Sequence, residues 1–287
     1  MPLSLASVHG AAIARFLTCA TRQTARRDVV RDDVMRDRWH TTRELAFSAD
    51  GCTFVLKYTN TAAVYDTASG ARLRVRQYKD MAQLATVAGG VLSGYWTGRS
   101  HERDFVSPTA ALETVPLIDV ASPLEGMCVA GTLLAVCGDR DAHITVFDLQ
   151  DMTWCVERAI WKLALPRRLI PCEHPKRLCA LYYNNVLCVA ATQPRARCVS
   201  ILCVTTGALL RRVGCGVLRC PLGVVFRASS NELIVADITR GTVVMSLDDP
   251  DAHSILPGTA CAESVALHRD TLLVVALGSH VAVLTLD

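Results

Sequence analysis

The residues best suited to chemistry in this sequence are basic side chains that occur in close pairs. The pairs are Arg167 with Arg168, Lys176 with Arg177, Arg195 with Arg197, and Arg211 with Arg212. Guanidinium groups recognise phosphate well, and a cluster of cations attracts nucleic acid by releasing counterions. All four pairs fall in one long predicted unit, so several of them are expected on one rim, where they are candidate nucleic-acid-binding residues. Ordinary solvated loops are the alternative, because no stacking aromatic residues are interleaved with these arginines.

Sequence motifs typical of enzyme active sites, metal sites and cofactor sites are missing from the sequence. The eight histidines are scattered, and no pair has the helical spacing of a zinc protease. There is no Cys-x-x-Cys pair, nucleophile elbow, phosphate-binding loop or dinucleotide-binding fingerprint. His143 and His280 precede similar apolar runs, so they are expected at equivalent positions of two repeats. The sequence therefore predicts no catalytic residue, no metal site and no cofactor.

Composition places the chain among globular proteins. Hydrophobic residues make up 51% of the 287 residues, and no apolar run approaches the ~20 residues of a membrane span. Several of the 13 cysteines lie inside apolar runs, which predicts buried thiols in a reducing, intracellular and cytoplasmic setting. Residues 1–27 lack Asp and Glu and contain four arginines, which is also typical of a mitochondrial targeting peptide.

A short strand pattern recurs along the chain and predicts the fold. Its clearest copy covers residues 44–76, with strands predicted at 45–47, 52–58, 62–65 and 71–76. Asp50-Gly51 supplies a tight hairpin turn between the first two strands. The third strand recurs near Tyr65, Phe105, Phe147, Leu202, Met245 and Leu284, at spacings of about 40, 42, 55, 43 and 39 residues. The long unit contains a proline-rich insertion at residues 166–175, which is expected to be a surface loop.

Two copies of the pattern carry a family resemblance. Residues 221–247, with Pro221-Leu222-Gly223, Ala236-Asp237 and Val243-Val244, resemble a blade of NHL-repeat propellers. Residues 44–76 look more like a WD-repeat blade, although no blade has the Gly-His and Trp-Asp dipeptides of WD repeats. The resemblance implies an all-β fold, a single β-propeller of about six four-stranded blades, with seven possible if the first 40 residues form a degenerate blade.

The domain organisation follows from this fold. Residues 41–287 are expected to form the propeller. Residues 1–40 are either a closing strand, which would pair with the last blade and remove an open sheet edge, or a targeting peptide.

Three functions remain open at this point. The first is a non-catalytic scaffold for protein–protein interaction within a larger assembly, because propeller loops vary freely over rigid strands. The second is an RNA-binding propeller that uses the basic rim. The third is a channel-site metal-dependent hydrolase or lyase, for which Glu44, Glu125, Glu232 and Glu263 are the candidate carboxylates.

Overall fold

The chain folds into antiparallel β-strands around a central axis. The computed structural model describes residues 23–30, 44–48, 50–58, 61–77, 81–87, 90–95, 104–106, 114–116, 124–138, 142–151, 153–155, 160–162, 166–249, 251–278 and 280–287. Over these residues the strands form six four-stranded sheets and one two-stranded sheet. Each four-stranded sheet is a blade, and the blades are numbered below in chain order.

The first three blades come from residues 44–171. The first blade contains β2 (Glu44–Phe47), β3 (Thr53–Tyr58), β4 (Thr61–Asp66) and β5 (Arg72–Gln77). The second contains β6 (Met81–Val87), β7 (Gly90–Tyr95), β8 (Asp104–Val106) and β9 (Thr114–Pro116). The third contains β10 (Leu124–Ala130), β11 (Leu133–Gly138), β12 (His143–Asp148) and β15 (Arg168–Pro171). A short 3-10 helix (Leu149–Asp151) and the hairpin of β13 (Thr153–Cys155) and β14 (Ile160–Lys162) separate β12 from β15.

The remaining blades complete the ring. The fourth contains β16 (Leu178–Tyr183), β17 (Val186–Gln193), β18 (Cys198–Cys203) and β19 (Leu209–Val213). The fifth contains β20 (Pro221–Arg227), β21 (Glu232–Asp237), β22 (Gly241–Ser246) and β23 (His253–Ile255). The sixth contains β24 (Ala262–His268), β25 (Leu272–Leu277) and β26 (His280–Leu286), and its outermost strand is β1 (Gln23–Val30). The innermost strands contact one another in succession, and β24 contacts β2.

The core lies between the faces of neighbouring blades. In β21, Leu233 and Val235 pack against the fourth blade, whereas Ile234 and Ala236 pack against the sixth. Successive strand residues point to opposite faces, so a strand with blades on both sides is apolar at every position. This explains the unbroken apolar runs of the sequence. The predicted class, an all-β propeller with four-stranded blades, is confirmed.

The last blade takes its outer strand from the start of the chain. β1 pairs antiparallel with β26, with Gln23 opposite Leu286 and Val30 opposite Val281. Residues 23–30 thus belong to the sixth blade and form no additional one. The pairing covers the outer edge of β26, which would otherwise be open to other strands. Residues 1–22 lie outside the described residues, so the targeting role stays a prediction, as does the domain boundary at residue 40.

One prediction about the long unit is wrong. Residues 166–175 are not a surface insertion, because they contain β15, the outer strand of the third blade. The extra length lies instead between β12 and β15, where β13 and β14 pair with each other. Proline is tolerated in this segment because Pro171 ends an edge strand, where a missing N–H breaks no ladder.

Candidate functional site

A central channel runs between the innermost strands. Its upper face is defined here as the one at which these strands begin, and its lower face as the one at which they end. The channel has a volume of about 260 Å³. Its described walls are mostly apolar, with Phe47, Met127, Cys128, Val224 and Val265 among them, and Glu44 and Arg177 supply charge.

The strands that line the channel share a local irregularity at the upper face. The pairing register shifts between Leu124 and Gly126, between Pro221 and Gly223, and between Ala262 and Ser264. Each shift leaves one extra residue beside the mouth: Glu125, Leu222 or Glu263. A bulge of this kind re-aims a side chain and bends the strand. The repeat therefore places the start of each of these strands at one rim.

Arg177 bridges the channel mouth from the fourth blade to the first. Its Nη2 lies 2.8 Å from Glu44 Oε1, and its side chain is only 11% exposed. Its Nη1 donates to the backbone oxygen of Glu125 and to that of Lys176, the latter at 3.2 Å. Nη1 also lies 3.8 Å from the Glu125 carboxylate. One guanidinium thus ties together the first, third and fourth blades.

Two lysines complete this network. Lys57 stands directly opposite Glu44 in the β2–β3 ladder, and its Nζ lies 4.0 Å from Glu44 Oε2. Burial lowers the pKa of Lys57, and the neighbouring Glu44 carboxylate partly offsets this effect. Lys176 Nζ lies 3.0 Å from Glu125 Oε1. We call Glu44, Lys57, Glu125, Lys176 and Arg177 the mouth network.

Gly126 allows the fourth blade to approach the third at this point. A Cβ on Gly126 would lie 2.8 Å from Cys137 Sγ and 2.8 Å from the Lys176 backbone oxygen. Real Cβ atoms essentially never come this close, so any side chain here would push the start of β16 away. Gly223 plays the same part between the fifth and sixth blades, where a Cβ would lie 3.1 Å from Ser264 Cα. A glycine after the bulge therefore positions Arg177 within reach of Glu44.

Three of the four candidate carboxylates of the hydrolase hypothesis, Glu44, Glu125 and Glu263, lie at the upper ends of innermost strands, and only Glu232 lies elsewhere. Glu44 and Glu125 lie in the mouth network, each beside a cation. Glu232 lies at the lower end, where Arg227 Nη1 is 3.7 Å from its Oε2. Arg227 Nε also donates to the Asp270 backbone oxygen at 2.8 Å. The described residues contain no group of three or more His, Cys, Asp or Glu side chains with metal-binding spacing.

The two histidines singled out by the sequence occupy equivalent positions, as expected. His143 begins β12 and His280 begins β26, and both strands are third in their blades. Both side chains are partly buried at the upper ends of these strands. Third strands lie away from the channel axis, which separates the two histidines from the mouth network.

The eight basic residues of the predicted rim are distributed over several surfaces. Arg167 and Arg168 belong to the third blade, although the sequence assigned all eight to one unit. Arg167 Nη1 lies 2.7 Å from Asp148 Oδ2, and Arg168 Nη1 donates to the Thr206 backbone oxygen at 2.9 Å. Both lie toward the lower face. Lys176 and Arg177 are part of the mouth network at the upper face.

The other four basic residues surround the fourth blade. Arg195 and Arg197 lie in the β17–β18 turn at the upper face, and Arg195 Nη1 is 3.0 Å from His174 Nε2. Arg211 faces the fifth blade, where it donates to Tyr183 Oη at 3.1 Å and to the Leu247 backbone oxygen. Arg212 lies on the opposite side of the strand, in a groove with Pro171 and Glu173 of the third blade. The structure thus brings Arg195 and Arg197 together but separates them from Arg167 and Arg168.

Large apolar side chains are exposed at the lower end of the fourth blade. Tyr182 is 64% exposed at the end of β16, and Val186 is exposed where β17 begins. Leu209 and Leu210 are exposed where β19 begins, at the same end of the sheet. We call these four residues the fourth-blade patch. Sequence reasoning missed it, since the strand pattern alone does not separate exposed apolar residues from buried ones.

The comparisons with known proteins show the fold. No protein-family model matches the chain, and no curated protein matches its sequence. A chain in "Crystal Structure of Mitotic Checkpoint Complex" matches with a TM-score of 0.60 and 14% sequence identity, over 93% of this chain and 96% of that chain. The chain is thus a β-propeller. Because 1345 chains of solved structures match it, the fold alone does not select a function.

No helix among the described residues is both long and apolar enough to cross a membrane.

Proposed function

We propose that this propeller is a non-catalytic scaffold that holds protein partners within a larger assembly. The observation that carries the proposal is the fourth-blade patch, where Tyr182, Val186, Leu209 and Leu210 are exposed at one end of a rigid sheet. Exposed groups of large apolar side chains mark interaction sites more often than scattered single ones do. Tyrosine is also enriched in protein interfaces, because it combines a large apolar ring with a hydroxyl group.

The mouth network supports a structural role for the channel. In a propeller enzyme, carboxylates that converge on the channel would hold a metal ion or transfer protons. Here the carboxylates of Glu44 and Glu125 form ion pairs with Arg177, Lys57 and Lys176. The ion pairs of Lys176 and Arg177 join neighbouring and facing blades. This arrangement favours a rigid platform whose binding surfaces lie on the outside.

The test is to identify a partner and then to remove the patch. The tagged chain is used to capture proteins with and without nuclease, and a reproducible partner is measured again with Tyr182→Ser combined with Leu209→Ser. The matched control is Leu73→Ser combined with Val75→Ser, which changes two exposed apolar residues of β5 in the first blade. We expect nuclease-resistant binding that the patch variant loses and the control keeps.

RNA binding by the basic residues is the second outcome that this experiment distinguishes. Capture that nuclease abolishes would overturn the scaffold proposal in favour of the RNA hypothesis. Affinity for a mixed-sequence single-stranded RNA should then fall with salt, with a log–log slope of about −0.7 per phosphate contact. Arg195→Ala combined with Arg197→Ala should flatten that slope. Binding that no patch or control variant changes would also count against the patch.

A further inference from the structure

Two cysteines meet at the upper end of the fourth blade. Cys198 begins β18, and Val199 stands opposite Val213, the last residue of β19. Cys215 follows two residues after Val213, so the strand register brings Cys198 and Cys215 to adjacent strand ends. The two side chains are near neighbours, since the Cys215 thiol is among the groups that raise the pKa of Cys198. A disulfide requires a Cα separation of about 5–6 Å, which is the spacing of residues on neighbouring antiparallel strands.

The two thiols differ in exposure. Cys198 is 1% exposed, and its Sγ donates to Gln193 Oε1 at 3.6 Å. The same Gln193 Oε1 accepts from Ser200, and Gln193 Nε2 donates to the Glu173 backbone oxygen at 2.8 Å. Cys198 is therefore held in place. Cys215, by contrast, is exposed to solvent and is open to small reagents.

The backbone around Cys215 is shaped by two glycines. Gly214 has φ 75° and Gly216 has φ 84°, a conformation that other residues rarely adopt. The Gly214 backbone oxygen accepts from the N–H groups of Val217 and Leu218, which forms a tight turn with Cys215 near its tip. Nothing lies within 4 Å of where a Cβ on Gly216 would be, so the turn is open on that side.

We infer that Cys198 and Cys215 form an oxidation site, a pair of thiols that a hydroperoxide converts into a disulfide. The exposed Cys215 sulfur attacks the O–O bond of the hydroperoxide, which gives a sulfenic acid and an alcohol, or water from hydrogen peroxide. The Cys198 sulfur then attacks the sulfenic sulfur, the S–S bond forms, and the hydroxyl group leaves as water. Two thiols are oxidised by two electrons in total, and one peroxide is reduced. A small-molecule dithiol reverses the reaction by exchange.

The surroundings of Cys198 support this order of steps. Burial raises the pKa of the Cys198 thiol, and the Arg212 guanidinium only partly offsets that effect. Because the thiolate is the nucleophile toward peroxide, the exposed thiol reacts first and the buried one resolves the sulfenic acid. Cys172 of the third blade also lies near Cys198, and burial raises its pKa to about 12. Cys172 is buried and is therefore a poor competitor for the first step, the reaction with the hydroperoxide.

A disulfide here would join the start of β18 to the turn that leads into the fifth blade. That turn continues to Arg219 and Cys220, whose N–H groups donate to Asp237 Oδ2 at 2.7 and 2.9 Å. Oxidation would thus fix a connection between two blades at the upper face. The modification is separate from the fourth-blade patch, which lies at the lower end of the same sheet.

The test uses the intact folded chain and hydrogen peroxide as the probe. After treatment, free thiols are alkylated and the chain is digested with trypsin. Residues 198–211 and 213–219 fall in different peptides, because Arg197, Arg211, Arg212 and Arg219 are cleavage sites. We expect a cross-linked peptide pair that dithiothreitol separates, and fragment ions that place the bond at Cys198 rather than at Cys203. Amide exchange of residues 213–218 should slow by at least severalfold in the oxidised chain.

Variants decide between this site and general thiol oxidation. Cys215→Ser should abolish the cross-link, whereas Cys261→Ser, which changes another exposed cysteine, should leave it unchanged. Cys198→Ser should leave a sulfenic acid on Cys215 that a dimedone probe traps. A bond between Cys172 and Cys198 would overturn the inference. So would oxidation of Cys215 beyond the sulfenic acid, with no cross-link, in the wild-type chain.

Discussion

Arg177 of the fourth blade and Glu44 of the first are joined across the channel mouth, with Nη2 and Oε1 2.8 Å apart. The two residues come from distant parts of the chain and meet because each lies where an innermost strand begins. Glu44 opens β2, and Arg177 immediately precedes β16. The ion pair therefore depends on the ring being closed, and it also helps to hold the ring closed.

Removing the Arg177 guanidinium should lower the free energy of unfolding far more than removing an exposed guanidinium. Arg177→Leu would remove the cation that lies 2.8 Å from the buried carboxylate of Glu44, and breaking a buried ion pair from one side costs about 3–5 kcal/mol. The measurement is urea-induced unfolding followed by fluorescence. Arg219→Leu, which changes an exposed arginine of the β19–β20 connection, is the matched control and should shift stability by less than about 0.5 kcal/mol. Equal stability of the two variants would show that the mouth network contributes nothing.

The close approach at Gly126 gives a second, independent test of the same region. Gly126→Ala would place a Cβ 2.8 Å from the Lys176 backbone oxygen, so the start of β16 must move. We expect a loss of about 1–3 kcal/mol, the usual cost of overpacking. Gly278→Ala is the control, because its nearest neighbour would be the Cys261 Cβ at an ordinary 3.7 Å. The double variant Gly126→Ala with Arg177→Leu should lose less unfolding free energy than the two single variants lose together. Both changes act on the same contact between the third and fourth blades, so their effects are not independent.

The strands could be predicted because their signals are local. Each predicted third strand, near Tyr65, Phe105, Phe147, Leu202, Met245 and Leu284, is the third strand of a blade. Phe47 of a first strand, and Val136 and Val189 of second strands, belong to apolar runs and are buried. The turn at Asp50-Gly51 also forms as expected, with Gly51 at φ 73°. Apolar runs and turn residues carry this information within a few positions of the chain.

The mouth network could not be predicted because its contacts are not local. Nothing near Arg177 in the sequence indicates Glu44 as a partner. The local pattern around Lys176 and Arg177 is equally consistent with a solvated loop. The repeat could have indicated part of this network, because it places glutamates at equivalent positions. Glu125 and Glu263 both follow the first residue of an innermost strand. The prolines near residue 166 led to the wrong prediction of a surface loop. Proline is common in loops, but it is also allowed where an edge strand ends.

The buried thiols should make stability fall at alkaline pH. The pKa of Cys172 is raised from 9.0 to about 12, chiefly by burial. Between pH 9 and 12 the unfolded chain loses this proton while the folded chain keeps it, so the free energy of unfolding decreases as pH rises. One thiol contributes a slope of at most about 1.4 kcal/mol per pH unit. Cys172→Ala should therefore show a shallower decline than the wild type, whatever its stability at neutral pH.

The control for this pH dependence is Cys261→Ala, which removes an exposed thiol. Its unfolding free energy should follow the wild-type curve across pH 9–12. Measuring slopes rather than absolute stabilities separates ionisation from the cavity that Cys172→Ala creates. If the Cys172 variant declined as steeply as the wild type, the buried thiol would not be the source of the effect.

Deleting residues 1–40 should open the propeller. The deletion removes β1 and exposes the edge of β26 from Val281 to Leu286, which is now paired with Val30 to Gln23 across two register shifts. An unpaired apolar edge promotes association with other strands, so we expect a lower melting temperature and aggregation on warming.

The control for this deletion is a chain in which the missing strand is restored at the other end. Because Gln23 lies opposite Leu286 in an antiparallel pair, a short glycine-containing turn can connect Asp287 to residues 23–30 placed after it. That permuted chain should regain the melting temperature of the full chain, and an unchanged melting temperature after the simple deletion would show that β1 does not close the ring.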